Sequence, residues 1–548
     1  MRPTFIPALA LSLIAPLAGA QTTPPASGLQ LHLRADVGVT VTGGLVTNWA
    51  DQSGNGYDFA PPAGEEPTLK ANVVNGLPGV RFDGSTELRG DLQQTLTEAT
   101  FVTLSRYTVF QSANDYLYTV GNRTGAGSQM SLSRLNDDDL YHFDGSATNS
   151  ERATCIPPNA FLPTVQIYGD GSPDAHAIYQ NGALELSSTA SSNYSVDAGT
   201  FILGNYTTGN FQFVGDIVEV LVYNRALSTT EREQAEAYLR ERAALAFADL
   251  GSAEVIQYEI NAQPDATWST CAADTSAQQA TNADPSILLT DVESGGKLLR
   301  GTMSAGNAPD YLGFAFGYED RSSYYLFDWK RTTASFNDFG IADAGMTLRA
   351  VNTLDGSDPT GEDLWSSTDT ANVSTLCDNP MPWSINTLYD YTLRFQSGLI
   401  GIDIFEGEEL IRSWSIQDNA FDAGRFGHYI NSLQNVTYGP LSISDITSVD
   451  SDGDGVSDAT DNCLYVANPN QRDTDGDGIG NFCDADLNND CTTNVVDLGQ
   501  LRASFFTSDP DADLNGDGVV NFLDLGLFRS LFFTVPGPSG QPHNCGCN

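Results

Sequence analysis

The chain has 548 residues, room for several domains, and carries 25 Lys and Arg against 70 Asp and Glu, a formal charge of −45. A surface of that sign repels nucleic acid and anionic lipid and makes divalent cations the natural counter-ions. No segment beyond the N-terminus is apolar enough to span a bilayer, so no membrane span is expected.

Residues 1–20 place Arg2 before an apolar stretch, Phe5 to Leu17, and end in Ala18-Gly19-Ala20. This is the pattern of a secretory signal peptide, and it predicts a secreted or outer-surface protein. Export opens the eight cysteines (Cys155, Cys271, Cys377, Cys463, Cys483, Cys491, Cys545 and Cys547) to disulfide formation. The cysteines and the five histidines are too scattered for a zinc site.

Residues 27–247 read as an all-β domain closed by a helix. Short alternating strands such as Gln30–Arg34 and Tyr107–Gln111 are separated by Gly, Asn, Asp and Ser turns, and Gly215–Tyr223 is a long last strand. Ser228-Thr-Thr-Glu231 is a capping box that opens a helix running to about Ala246, with Ala235, Tyr238 and Leu239 as its apolar stripe. The stretches Trp49–Gly56, Pro67–Leu69, Asn75–Gly84 and Gly215–Leu227 resemble the bacterial laminin-G-like (concanavalin-like) jelly-roll domain. That resemblance implies a two-sheet sandwich used mostly for ligand binding. Trp49 and Phe82 are expected in its core, and Asp51–Gly56 and Arg89-Gly90-Asp91 as turns.

Residues 253–447 form a second β domain with two legible hairpins. Tyr311–Tyr318 turns at Glu319–Ser322 into Tyr324–Trp329, and Leu399–Phe405 turns at Glu406–Glu409 into Leu410–Trp414. The stretches Asp310–Tyr318, Phe327–Lys330, Gly345–Asn352, Thr387–Phe395, Gly398–Leu410 and Gly424–Gly427 resemble the C-terminal lectin-like domain of thrombospondins. The resemblance implies a jelly-roll sandwich, an extracellular location, calcium and adhesion. In thrombospondins the calcium repeats precede and wrap this domain; here they follow it, which leaves their docking open. Cys271 and Cys377 are its only cysteines and are paired on that ground.

Residues 450–524 hold 17 Asp, no Glu, and only Arg472 and Arg502 as cations. Oxygen side chains recur at positions 1, 3, 5, 9 and 12 of four loops: Asp450, Asp452, Asp454, Asp458, Asp461; Asp473, Asp475, Asp477, Asn481, Asp484; Asp486, Asn488, Asp490, Asn494, Asp497; and Asp513, Asn515, Asp517, Asn521, Asp524. Calcium takes six to eight oxygens, alternate side chains of a tight loop converge on one point, and Gly at position 6 permits the bend. Position 6 is Gly455, Gly478, Cys491 and Gly518. Four copies in register predict up to about four Ca2+ ions rather than a solvated acidic linker.

The first two loops, with Asp461-Asn-Cys463, Asn468-Pro-Asn-Gln471 and Phe482-Cys483-Asp484, resemble thrombospondin type 3 repeats over residues 450–484. That resemblance implies a Cys463–Cys483 disulfide. The last two loops are each followed by a predicted helix, Leu498–Phe506 and Leu525–Phe533, and align at a 27-residue offset. Residues 486–533 thus resemble a dockerin, an EF-hand-like tandem of loop-helix halves. Dockerins hold cohesin-type partners through loop positions 10 and 11, here Val495, Val496, Phe522 and Leu523, which are expected to be core. Cys491 departs from the pattern and is free to pair with Cys545 or Cys547 of the Cys-containing tail 534–548.

The fold class is therefore mainly β: two concanavalin/laminin-G-like sandwiches, calcium loops and a small helical module. The functional expectation is a non-catalytic protein for cell adhesion or carbohydrate or matrix binding, with glycans or matrix and cell-surface proteins as partners. A polysaccharide-degrading enzyme or its accessory, and a structural surface component, are the rivals. No catalytic residue is assigned. The strand carboxylates Asp216 and Glu219 are three apart and so expected on opposite faces, and neither a Gly-x-Ser-x-Gly nor a His-Glu-x-x-His motif occurs.

Overall fold

The computed structural model describes residues 23–543, 545 and 547, apart from segments 109–114, 122–127, 135–139, 144–149, 154–159, 170–175, 189–193, 207–211, 261–262, 272–274, 307–308 and 337–338. The expected signal peptide and Cys155 lie outside the described residues, as do the side chains of 140–143, 150–153 and Cys271.

The first sandwich faces a ten-stranded sheet against a six-stranded one. Val214–Tyr223 runs through the middle of the larger sheet, paired with Ala99–Tyr107, Leu77–Asp83 and Leu29–Arg34. Tyr107 closes the strand Ala99–Tyr107, and the rest of the expected strand Tyr107–Gln111 lies outside the described residues from position 109 on. Trp49 and Phe82 are fully buried between the sheets with Phe101, Tyr118 and Phe201, and Trp49 Nε1 donates to Arg34 O at 2.9 Å. Both halves of the Ser228/Glu231 capping box form, and the helix Thr229–Arg242 lays Ala235, Tyr238 and Leu239 on the outer face of the large sheet. It stops short of Ala246 because Ala244 turns to a φ of 48°. Arg89-Gly90 lies in a short strand, Leu88–Gly90, rather than in a turn.

A β-bulge between Ile217 and Glu219 resets the alternation of the central strand. Ile217, Val220 and Val222 point into the inter-sheet core, whereas Val218, Leu221 and Tyr223 pack under the helix. Glu219 meets Tyr238 of that helix, so Asp216 and Glu219 share one face, contrary to simple period-two counting. Neither is a free carboxylate. Asp216 accepts from Arg81 Nε at 2.5 Å and Arg106 Nε at 2.8 Å, and Glu219 meets His32 Nε2 at 2.6 Å, Tyr238 OH at 2.7 Å and Arg242 Nε at 2.5 Å. Buried charges persist only when paired in this way.

The second sandwich packs a seven-stranded sheet on an eight-stranded one around Phe314, Phe327, Trp329, Tyr391, Phe395 and Trp414. Both expected hairpins form with tight turns, Tyr311–Asp320 with Ser323–Lys330 and Leu399–Glu406 with Glu409–Ile416. Gly407 adopts a φ of 64° in the second turn, a conformation glycine takes without strain.

Backbone bonds stitch the sandwiches together: Ala248 N donates to Leu441 O at 2.9 Å and Ile443 N to Ala246 O at 2.8 Å. Arg81 Nη1 crosses to Glu408 at 2.5 Å. The acidic repeats dock on the second sandwich although they follow it. Tyr465 OH donates to Asp403 Oδ2 at 2.5 Å, Asp403 is also held by Arg394, and Arg300 Nη2 donates to Ser451 Oγ at 2.8 Å.

Three disulfides lie among the described residues. Cys463–Cys483 crosses the first two repeats, as the type 3 resemblance implied, and Cys491 is bonded to Cys545. Cys377 is joined to Cys547, which corrects the expected Cys271–Cys377 pair. The physical reason is the course of the tail. Leu464 N donates to Pro538 O, Gly540 N to Asp461 O and Gln541 Nε2 to Thr460 O, so the terminus is led back along the repeats to the edge strand Val373–Asn379. Peptide mapping of the non-reduced protein is expected to recover a Cys377–Cys547 cross-linked peptide; a Cys271–Cys377 peptide in its place refutes this tail path.

Candidate calcium array

Three of the acidic loops are wound by one weave of side-chain-to-backbone bonds, and the third keeps part of it, with Cys491 N donating to Asp486 Oδ2 at 2.5 Å and Thr492 N to Asp490 Oδ1 at 3.2 Å. In the first, Asp450 Oδ1 accepts from Gly453 N at 2.7 Å and Oδ2 from Gly455 N at 2.8 Å, while Asp454 Oδ1 accepts from Val456 N at 2.8 Å. The second repeats this with Asp473, Gly476 and Gly478, and with Asp477 and Ile479. The fourth repeats it with Asp513, Gly516 and Gly518, and with Asp517 and Val519. Positions 4 and 6 are left-handed throughout, at Gly453 and Gly455 (φ 82° and 95°) as at Asn489 and Cys491 (φ 55° and 68°). Cys491 thus adopts the bend that glycine takes elsewhere, at a cost of about 1–2 kcal/mol, and its disulfide holds it there. The requirement at position 4 went unread in the sequence, although Gly453, Gly476 and Gly516 mark it.

The weave turns the remaining carboxylate oxygens inward. Ligand atoms of Asp450, Asp452 and Asp454 lie within 4.8 Å of one another, as do those of Asp473, Asp475 and Asp477. Asp452 Oδ2 and Asp461 Oδ2 are buried without a hydrogen-bond partner. Burial, then the charges of Asp461, Asp454 and Asp450, push the Asp452 carboxyl up to about 7. Burial and the neighbouring aspartates likewise push Asp477 up to about 6 and Asp484 to about 8. Asp475, Asp484, Asp486 and Asp511 line a common cavity of about 10 Å3 where the second and third loops adjoin. Crowded hard oxygens with orphaned lone pairs fit calcium and fit no softer metal as well.

Position 9 also steadies the backbone. Asp458 accepts from Ser451 N and Oγ at 2.7 and 2.6 Å, and Asn481 Oδ1 from Thr474 N at 3.0 Å, so both clasp their own loops. Asn494 and Asn521 cap helices, accepting from Val496 N and Leu523 N. Asp497 and Asp524 complete the two capping boxes, and their Oδ1 atoms accept from Asn488 N at 3.2 Å and Asn515 N at 3.1 Å. The caps start the helices at Val495–Ala503 and Phe522–Ser530, three residues earlier than expected. Asn468 and Gln471 steady the first loop: Asn468 N donates to Asp454 Oδ2 at 2.7 Å and Gln471 Nε2 to Asp461 Oδ1 at 2.8 Å.

The two helices pack Leu501 and Phe528 on Leu514 and Val520. Each half completes the other: Phe506 N donates to Val520 O at 2.8 Å, and Phe533 N to Thr493 O at 2.9 Å. With the helix starts moved, positions 10 and 11 fall in exposed first turns. Val495, Val496, Phe522 and Leu523 are 67, 52, 70 and 64% exposed, which overturns their assignment to the core.

Residues 263–445 match the family model of the thrombospondin C-terminal region, and residues 443–471 and 472–504 match that of the thrombospondin type 3 repeat. The second repeat match takes in the third loop and its helix. Cartilage oligomeric matrix protein of Rattus norvegicus is 32% identical over 200 residues, 34% of this chain and 26% of that protein. Thrombospondin-3b of Danio rerio is 30% identical over 200 residues, 34% of this chain and 22% of that one. The chain thus spans about a quarter of the length of these relatives. Among solved structures, domain 4 of an extracellular arabinanase from Geobacillus stearothermophilus aligns at 16% identity over 38% of this chain and 98% of that one, with a TM-score of 0.27 that carries no argument. No helix among the described residues is long and apolar enough to cross a membrane. Calcium is expected to protect residues 450–548 from limited proteolysis, and Asp452→Ala to remove one ion from the calorimetric stoichiometry; equal cleavage rates in calcium and in chelator refute this account of the array.

Proposed function

We propose that this chain is a secreted, calcium-loaded protein of the extracellular matrix or cell surface that binds matrix proteins or glycans and catalyses no reaction. The observation that carries the reading is the seating of the first acidic repeat on the second sandwich through Tyr465, Asp403, Arg394 and Arg300. Loops that repel one another without cations and dock when neutralised make calcium the element that fixes how the sandwiches are presented. The proposal assigns one ion to each loop, about four in all. The three disulfides suit an oxidising, extracellular setting. The name of the rat relative places that protein in a matrix, and the laminin-G-like character read in residues 27–247 adds a second ligand-binding sandwich. Clamping of Asp216 and Glu219 by arginines argues against a glycosidase pair in the central strand.

A second reading concerns assembly. The exposed pairs Val495/Val496 and Phe522/Leu523, with Phe506 and Phe533 exposed beside them, favour a dockerin-like module that docks a cohesin-type partner. In that case the chain rides on a larger surface complex, as a structural component or as an accessory to polysaccharide breakdown.

An array of glycans and matrix proteins probed in calcium and in EDTA, with reducing sugar measured on the same ligands, tests the first reading. Calcium-dependent capture without sugar release is expected, and release of product overturns it. For the second, wild type is expected to bind a panel of cohesin-type modules and the Val496→Asp/Leu523→Asp double variant to lose at least tenfold in affinity, about 1.4 kcal/mol. Both positions are exposed, so the variant keeps its fold; no binding by wild type sinks the reading.

A further inference from the structure

A cleft of about 350 Å3 opens where three parts of the chain meet. Arg106 and Phe161 come from the first sandwich, Arg300 and Thr302 from the second, and Ser451 and Tyr465 from the first calcium repeat. The volume falls in the range of small-ligand pockets, roughly 300–1,000 Å3. Its walls carry two guanidinium groups beside two carboxylates, Asp390 and Glu408, the latter paired with Arg81 at 2.5 Å, a far higher share of cations than the 25 against 70 of the whole chain.

The charges are only partly cancelled. Arg106 commits Nε to Asp216 at 2.8 Å and stands 4.8 Å from the Phe161 ring, while Asp216 is shared with Arg81. Arg300 spends both Nη atoms on neutral oxygens, Asn75 Oδ1 at 2.9 Å and Ser451 Oγ at 2.8 Å, and its paired carboxylate, Asp458, is 4.0 Å away. Thr302 is 4% exposed, and its buried Oγ1 has no hydrogen-bond partner. The hydroxyls of Thr302 and Ser451 on the same wall suit hydroxyl groups, and the rings of Phe161 and Tyr465 offer apolar faces. Cations for an anion, polar groups for hydroxyls and aromatic faces for a ring are the chemistry of an acidic sugar.

We propose that this cleft binds the acidic end of a glycan, a sugar bearing a carboxylate or a sulfate, with the anion on Arg106 and Arg300. The inference rests on the reading of the chain as an extracellular binding protein. Because Ser451 and Tyr465 belong to the first calcium repeat, the cleft wall is complete only when that repeat is folded, which makes binding calcium-dependent.

The test is calorimetry on the full mature chain in calcium. The probes are a glucuronate-terminated disaccharide, a sulfated disaccharide and an uncharged disaccharide. At least one acidic probe is expected to bind more tightly than the uncharged one, the better of the two naming the anion. Arg300→Gln keeps hydrogen-bonding capacity toward Asn75 and Ser451 and is expected to weaken the acidic probe about tenfold while leaving the uncharged one unchanged. Thr302→Val, close in shape, is expected to weaken the same probe several-fold, and EDTA to reduce its binding to wild type. Thermal unfolding verifies that both variants are folded. No saturable binding of either acidic probe by wild type, or equal affinity for wild type and a folded Arg300→Gln, overturns the inference. A chain that captures matrix proteins in calcium yet binds neither acidic probe refutes the cleft and leaves the proposed function standing.

Discussion

Seventeen aspartates share residues 450–524 with only Arg472 and Arg502 as cations, and their mutual repulsion governs the C-terminal region. Ligand oxygens of Asp450, Asp452 and Asp454 lie within 4.8 Å of one another. At such spacing each like-charge pair costs roughly 3–4 kcal/mol at an effective dielectric of about 20. No hydrophobic core of comparable weight opposes this in the first two loops, where the buried cluster is Cys463, Ile479 and Cys483. Calcium held among such oxygens offsets the repulsion and draws a loop closed around it.

The surrounding structure serves that constraint. Backbone N–H groups of every loop point at the first aspartate, so part of the negative charge is met before any ion arrives. Arg472, bonded to Pro510 O and Asp513 O, ties the second loop to the fourth with one of the region's two cations. The tail runs back over the first two repeats and ends in disulfides at Cys491 and Cys377, which fastens the array at both ends. Arg300 and the Tyr465–Asp403–Arg394 chain carry its position into the second sandwich and so to the cleft between the domains.

What could be read from the sequence was local. Ligand spacing, the Ser228 capping box, the two hairpins of the second sandwich and the burial of Trp49 and Phe82 each follow from short-range periodicity or turn chemistry, and each is present. The last two helices begin three residues earlier than expected because Asn494 and Asn521 act as N-caps. That one shift moved Val495, Val496, Phe522 and Leu523 from an expected core to the surface.

Tertiary structure alone decided the rest, because it depends on partners distant in sequence. The bulge that puts Asp216 and Glu219 on one face is a property of strand pairing, invisible to counting along one strand. The Cys377–Cys547 bond spans 170 residues and exists because the tail is guided along the repeats, a path that cysteine counting within a domain does not reveal. The cleft belongs to no single segment: its walls come from two sandwiches and a loop, brought together by packing and ion pairs. The sequence by itself determined which residues gather negative charge and how tightly the chain turns around it, since both are set within a dozen residues. Where those loops dock, and what they enclose, was settled by contacts between surfaces hundreds of residues apart.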